Sequence, residues 1–173
     1  MSLETGHIYG IVGKNGAGKT VLFKIIAGFI KPSSGKVTVA GKIIGVDRDF
    51  PDSLGLIIET PGFLSQYNAY QNLLYLANIN NKISKEDVKE SIRMVGLDPG
   101  SNKKVGKFSL GMRQRLGIAQ AIMENPNLII LDEPMNGLDK KRNRRRKRTS
   151  FKIERRWKNN FNGKPLCGRH GNL

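Results

Sequence analysis

A glycine-rich motif near the amino terminus constrains the fold of this chain more than any other feature. Residues 13–20 read GKNGAGKT and match the pattern G-x-x-x-x-G-K-[ST] in full. The segment HIYGIV at residues 7–12 precedes the motif and predicts a short buried strand. A helical pattern over residues 20–27 follows and ends at Gly28, since glycine is common after the last helical turn. The sequence therefore predicts a strand, a phosphate-binding loop and a helix in succession.

The chemistry of this loop follows from its residue types. Glycines allow the backbone to curl so that successive N–H groups point at phosphate oxygens, and the helix adds its positive end. Lys19 is expected to reach the β- and γ-phosphates, and the Thr20 hydroxyl to bind Mg²⁺. A surface turn carrying a lysine is the plain alternative. The predicted nucleotide-binding residues of the loop are Gly13, Asn15, Gly16, Ala17, Gly18, Lys19 and Thr20.

A second motif places two carboxylates after an apolar strand. The segment LIILDEP at residues 128–134 predicts a strand that ends at Asp132 and Glu133. Paired carboxylates can divide the work, with Asp132 holding hydrated Mg²⁺ and Glu133 taking a proton from the attacking water. Alone, the pattern is also typical of a solvated strand end. Together with the loop, it predicts a site for nucleoside triphosphate hydrolysis.

The remaining patterns predict an α/β fold with an inserted helical subdomain at about residues 64–123. Turn residues and alternating apolar residues at 31–44 predict short strands with tight connections, and residues 53–59 predict a buried strand. Helices are predicted at residues 70–79, from Ser84 to about Val95, and at residues 109–123. The apolar positions predicted for the last helix are Leu110, Leu116, Ala119, Ile122 and Met123.

The net charge of +16 is unevenly distributed along the chain. Residues 1–139 contain sixteen basic and thirteen acidic residues, whereas residues 140–173 contain fourteen basic residues and one acid, Glu154. The single cysteine, Cys167, excludes an intrachain disulfide. The longest apolar run is interrupted by Lys24 and is shorter than the roughly 20 residues that cross a bilayer. We therefore expect a soluble chain whose membrane role, if any, comes through a partner.

Several segments together resemble the ATP-binding domain of ABC transporters, in the bacitracin- and lantibiotic-export group. Residues 108–122, FSLGMRQRLGIAQAI, resemble the signature motif and its helix. Residues 125–139, NPNLIILDEPMNGLD, resemble the Walker B strand and the D-loop that ends at Asp139. Residues 57–73 resemble the Q-loop segment, with Glu59 in the position where the family usually has glutamine. The resemblance covers residues 8–139 and implies a P-loop NTPase fold.

The resemblance also implies a mechanism and partners. Two copies would close head to tail on ATP and Mg²⁺, with Ser109 and Gly111 of one copy completing the site formed by Lys19 of the other. Asp139 would contribute to the nucleotide site, Glu133 would polarise water, and Glu59 would link the metal or water to a transmembrane permease. The expected location is the cytoplasmic face of the cell membrane, and the expected role is export of a peptide antibiotic or a similar compound.

The sequence departs from the family pattern at both ends. Only twelve residues precede Gly13, and Tyr9 falls within the predicted strand, so it is too close to stack on adenine. Neither His7 nor His170 fits the position of the switch histidine, because the basic tail takes the place of the second α/β half. The resemblance therefore implies an incomplete P-loop core, and ATP hydrolysis by this chain is expected to be weak or absent.

The basic tail at residues 140–173 admits three interpretations. It is a disordered polycationic extension, an arm that binds nucleic acid or acidic membrane through interleaved Trp157 and Phe161, or the product of a reading-frame shift near Lys140 and Lys141. The frameshift hypothesis explains the abrupt change in charge. The corresponding alternatives for the whole chain are a nucleic-acid-associated NTPase and a remnant that binds nucleotide without hydrolysing it.

Overall fold

The computed structural model describes residues 2–134 of the 173-residue chain. Its contacts divide the chain into two compact units, one containing residues 2–17 and the other beginning at Gly18. The predictions for Asp139 and for the basic tail lie outside the described residues. The boundaries of the cassette and of its helical subdomain stay predictions.

The unit that begins at Gly18 contains helices and strands in the mixed order of an α/β fold, as predicted. The helices are α1 at Lys19–Ile26, α2 at Ala69–Asn80, α3 at Lys85–Met94 and α4 at Leu110–Ile122. The strands are β1 at Thr38–Val39, β2 at Lys42–Ile43, β3 at Leu54–Ile57 and β4 at Leu128–Leu131. A short 3-10 turn lies at Val105–Lys107. None of the helices within residues 2–134 has the length and apolar character required to span a bilayer.

Strands β3 and β4 form a parallel pair, although about seventy residues separate them in sequence. Leu54 lies opposite Leu128, and Ile57 lies opposite Leu131. Parallel neighbours require a long crossover, and here that connection contains α2, α3 and α4. Both strands consequently end at the same edge, and the residues that follow them are brought together there. The antiparallel pair of β1 and β2 is a separate two-stranded sheet.

The core lies mainly among the three helices of this crossover. The largest fully buried side chains are Leu73 of α2, Val88 and Ile92 of α3, and Leu116 of α4. Ile57 joins the same cluster from β3. The helices therefore supply much of the apolar surface that positions the β3–β4 pair.

Helix α4 packs directly on β3 because glycine permits a close approach. A Cβ atom built on Gly55 of β3 would lie 1.9 Å from the carbonyl oxygen of Ala121 and 2.8 Å from Cγ of Pro126. On α4, a Cβ at Gly117 would lie 2.5 Å from Cγ of Pro61. The backbone of α4 thus occupies the space that a side chain at Gly55 would need, and the Pro61 ring occupies the space beside Gly117.

Two helices begin with reciprocal capping boxes. The predicted start of α3 at Ser84 is confirmed: the Ser84 hydroxyl accepts from the Asp87 backbone N–H, and the Asp87 carboxylate accepts from the Ser84 backbone N–H. Helix α2 has the same arrangement between Asn68 and Gln71, which the sequence prediction missed by starting the helix at Tyr70. The Asn-x-x-Gln spacing at residues 68–71 is a capping-box pattern and indicated the correct start of the helix.

The predicted strand at residues 7–12 is wrong. This segment contains no strand, Val12 is 97% exposed, and Ile8 and Tyr9 are also exposed. An apolar run becomes a strand only where another strand completes its hydrogen bonds, and the ladders among residues 2–134 join β1 to β2 and β3 to β4. Local order in this unit includes a hydrogen bond of 2.9 Å from the Glu4 backbone N–H to the Tyr9 hydroxyl.

One predicted apolar position of α4 is also not buried. Leu116, Ala119 and Ile122 are buried and Met123 is partly buried, but Leu110 is 55% exposed. Leu110 is the first residue of the helix, and the buried surface of α4 comes from positions 114 to 122. The periodic pattern identified the packed face, but it could not show how far along the helix the packing extends.

The close contact between α4 and β3 predicts a large cost for a single added methyl group. Gly55→Ala should lower the free energy of unfolding by at least about 1–3 kcal/mol, because the helix must move away from the strand. Urea denaturation followed by circular dichroism measures this change. Gly62→Ala is the matched control, since a Cβ there meets no atom within 4 Å. Equal stability of the two variants would contradict the observed packing.

The capping box of α3 predicts a pH dependence of stability. The pKa of Asp87 lies below its ordinary value because the Ser84 hydroxyl and then the Ser84 backbone N–H hydrogen-bond its carboxylate. A lowered folded-state pKa stabilises the fold above the ordinary value of about 4, and this contribution is lost as the pH falls through the lowered pKa. The decrease in the free energy of unfolding on acidification should be smaller in Asp87→Asn than in the unsubstituted chain. Urea denaturation at a series of decreasing pH values measures this difference. The prediction is refuted if the free energy of unfolding falls with pH equally in Asp87→Asn and in the unsubstituted chain.

Candidate functional site

The helix that follows the glycine-rich motif begins without a side-chain cap. Gly18 occupies the N-cap position with φ of 83°, a left-handed conformation that glycine adopts without steric cost. As a glycine, this N-cap residue has no side chain that could accept a hydrogen bond from the first turn of α1. The first-turn N–H groups of a helix lack intrahelical partners and carry the positive end of its dipole. This end of α1 is therefore suited to an anion such as a phosphate.

The rest of the motif belongs to the amino-terminal unit and has turn geometry. The Ala17 backbone N–H donates to the Lys14 carbonyl over 3.1 Å, and Gly16 has φ of 80°. Gly13, Asn15, Gly16 and Ala17 are all exposed. Exposed, turned backbone is the local form that a phosphate loop requires.

Thr20 of α1 and Asp132 after β4 meet directly. The Thr20 hydroxyl donates a hydrogen bond of 2.6 Å to Oδ2 of Asp132. Asp132 is only 7% exposed, and its backbone N–H extends the β3–β4 ladder by donating to the Ile57 carbonyl over 2.8 Å. Magnesium usually binds one or two carboxylates together with substrate phosphates. The predicted metal-binding residues therefore lie together and have suitable oxygen donors.

A glutamate follows each strand of the parallel pair in an uncommon backbone conformation. Glu59, two residues beyond β3, has φ of 64°, and Glu133, two residues beyond β4, has φ of 46°. Left-handed conformations are uncommon for residues other than glycine and cluster at functional sites. Because Ile57 lies opposite Leu131, the two glutamates occupy equivalent places beyond the same edge.

Glu59 is held by a residue that the sequence analysis did not select. Nζ of Lys24, on α1, lies 3.0 Å from Oε1 of Glu59. Lys24 lies four residues after Thr20, so both project from one face of α1. The spacing could have identified Lys24 from the sequence, because it places Lys24 one helical turn from Thr20, a predicted metal ligand.

Two predicted residues lie at the start of α4. Ser109 is its N-cap, and the Ser109 hydroxyl accepts a hydrogen bond from the Met112 backbone N–H. Gly111 is in the first turn. The described hydrogen bonds of Ser109 stay within this end of α4, so Ser109 acts as a helix cap.

Comparison with known proteins identifies the family of this chain. A sequence profile of the family described as "ABC transporter" matches residues 1–136. The chain belongs to the ABC transporter family. The resemblance inferred from the signature, Walker B and Q-loop segments is thereby confirmed, and the alternative of a nucleic-acid-associated NTPase receives no support.

Three relatives show the range of similarity to this ABC transporter family member. The ABC transporter ATP-binding protein YybJ of Bacillus subtilis, itself uncharacterized, is 48% identical over 140 residues, covering 81% of this chain and 64% of YybJ. The bacitracin transport ATP-binding protein BcrA of Bacillus licheniformis is 44% identical, covering 80% of this chain and 46% of BcrA. The lantibiotic transport ATP-binding protein SrtF of Streptococcus pyogenes is 37% identical, covering 80% and 59%. The chain thus spans about half to two thirds of the length of these relatives.

Solved structures confirm the fold. The dimeric ATP-binding cassette MJ0796 bound to ADP and Pi has a TM-score of 0.74 at 23% identity, covering 99% of this chain and 78% of MJ0796. The cbiO1 protein of Clostridium perfringens, part of the transporter complex cbiONQ, has a TM-score of 0.74 at 26% identity, covering 99% and 70%. The P-loop NTPase fold predicted from the sequence is thereby confirmed.

The contact between Thr20 and Asp132 predicts a stability difference between two substitutions. Thr20→Val leaves the buried Asp132 carboxylate without this donor and should lower the free energy of unfolding by about 1–3 kcal/mol. Thr20→Ser keeps a hydroxyl and should retain most of the stability. Urea denaturation without nucleotide measures both. Similar stability of the Val and Ser variants would show that the hydrogen bond contributes little.

Proposed function

We propose that this chain is the ATP-binding and ATP-hydrolysing part of an ABC transporter. The supporting observation is the 2.6 Å hydrogen bond between Thr20 and Asp132. It joins the helix that follows the phosphate-loop motif to a buried carboxylate just beyond strand β4. Phosphoryl transfer depends on positioning and electrostatic stabilisation, and the closeness of these two oxygen donors supports the proposal that they bind one metal ion.

The roles of the remaining residues follow from their chemistry. The backbone of the loop at residues 13–18 and the first turn of α1 would hold the phosphates, and Lys19 would bind the β- and γ-phosphate oxygens. Bound Mg²⁺ would neutralise phosphate charge, and the Thr20 hydroxyl and the Asp132 carboxylate would hold it. The Glu133 carboxylate would orient the attacking water and accept its proton.

The partners are part of the same proposal. Ser109 and Gly111 at the start of α4, together with Asp139, would complete the site of a second copy in a head-to-tail dimer. Glu59 would link the metal or the water to a membrane permease, at the cytoplasmic face of the membrane. BcrA and SrtF are named for bacitracin and lantibiotic transport. We therefore propose a peptide antibiotic, or a similar membrane-active compound, as the transported substrate.

Calorimetry with ATP and Mg²⁺ tests nucleotide binding. Lys19→Ala should weaken binding about 10- to 100-fold, the usual effect of losing hydrogen bonds to a charged group. The control is Lys85→Ala, at the exposed start of α3, which should bind as the unsubstituted chain does. A folded chain that produces no heat of binding would refute the proposed function.

A second variant separates binding from hydrolysis. Glu133→Gln should retain ATP binding and lose turnover by about 10²- to 10⁴-fold, because the amide cannot accept the proton from water. Release of inorganic phosphate at saturating ATP and Mg²⁺ measures this. Binding without turnover in the unsubstituted chain would restrict the function to that of a nucleotide-binding remnant or regulator.

A further inference from the structure

Helix α1 contacts the ends of both parallel strands through residues one turn apart. Thr20 donates to Asp132, beyond β4, and Lys24 donates to Glu59, beyond β3, over 3.0 Å. Residues four apart on a helix are separated by about 6 Å along its axis, and neighbouring strands lie about 4.8 Å apart. The Lys24–Glu59 pair is therefore about one helical turn from the Thr20–Asp132 pair.

The Lys24–Glu59 pair has little value as a stabilising contact. The side chains of Lys24 and Glu59 are 34% and 68% exposed, and solvent-exposed ion pairs of this kind contribute little to stability. The left-handed conformation of Glu59, with φ of 64°, is itself unfavourable for a residue other than glycine. Stability alone does not account for a strained glutamate held by a lysine at this edge.

We propose that Lys24 is a positioning residue that holds the Glu59 carboxylate toward the metal-binding pair of Thr20 and Asp132. The proposal rests on the function proposed above, in which Glu59 acts on the metal or its water. Carboxylates at metal sites are themselves hydrogen-bonded, and loss of the orienting partner typically costs about 10- to 100-fold in metal affinity or activity. Lys24 supplies such a hydrogen bond and also offsets the charge of a glutamate near the buried Asp132.

Positioning and simple charge make opposite predictions for Lys24. If Lys24 acted only through its positive charge, its removal would make the site more negative and strengthen Mg²⁺ binding. If Lys24 orients Glu59, its removal weakens Mg²⁺ binding because the carboxylate is no longer held in place. The two effects also combine differently with the loss of Glu59. If Lys24 acts by orienting Glu59, its removal cannot weaken Mg²⁺ binding once the Glu59 carboxylate is absent. If Lys24 acts only through its charge, its removal changes Mg²⁺ binding by the same factor whether or not that carboxylate is present.

The test measures the Mg²⁺ concentration that half-saturates binding of fluorescent N-methylanthraniloyl-ATP. Lys24→Met should raise this concentration about 10-fold, and Lys24→Arg should restore most of the affinity because arginine also donates to a carboxylate. In the Glu59→Ala background, which leaves no side-chain oxygen for Lys24 to orient, Lys24→Met should not weaken Mg²⁺ binding any further. The electron paramagnetic resonance spectrum of Mn²⁺ bound with ATP should change in Lys24→Met, while thermal unfolding without nucleotide stays the same.

Three results would overturn the inference. Tighter Mg²⁺ binding on Lys24→Met, by the same factor with and without the Glu59 carboxylate, would show that only charge matters. A lowered unfolding temperature without recovery in Lys24→Arg would show a structural role. Unchanged Mg²⁺ dependence would show that Lys24 does not act on the site. Failure of the unsubstituted chain to bind the fluorescent nucleotide with Mg²⁺ would instead overturn the proposed function.

Discussion

The parallel pairing of β3 with β4 is the constraint on which the candidate site depends. The ladder runs from Leu54 opposite Leu128 to Ile57 opposite Leu131, and the Asp132 backbone N–H adds one further hydrogen bond to Ile57. Because each register position moves a side chain to the other face, a shift by one residue would direct Asp132 away from Thr20. The close packing of α4 on Gly55 supports this pair from one side. The position of the acidic residues is therefore a consequence of register and packing.

Helix α1 connects the phosphate-loop motif to both strand ends. It is a short helix, and isolated helices of this length are marginal in water, so tertiary contacts have to hold it. Among those contacts, Thr20 with Asp132 and Lys24 with Glu59 are polar and lie on one face of the helix. The contact of Thr20 with the buried Asp132 is the one of these two that stabilises the position of the helix.

Much of the fold was predictable because its signals are local. Each of these signals depends only on neighbouring residues, and each predicted the bounds of a helix or strand to within a few residues. They are the capping box at Ser84, the glycine after α1, and the apolar segments of β3 and β4. The strand expected at residues 7–12 was wrong because strands depend on partners remote in sequence. Leu110, an apolar position of the predicted helix, is exposed because a helical pattern identifies the packed face but not where the neighbouring element ends. For the site, Thr20 and Asp132 were predicted as metal ligands from motifs, and the structure places them in contact.

The sequence by itself determined the family, the phosphate-loop motif, and the presence of carboxylates after two apolar strands, because residue type and spacing carry that information. It did not determine that Thr20 reaches Asp132, that Lys24 pairs with Glu59, or that both glutamates adopt left-handed backbone conformations. These features were decided by tertiary structure. Strand register and the position of α1 depend on packing between segments that are up to about one hundred residues apart, and no local pattern encodes the distances between them.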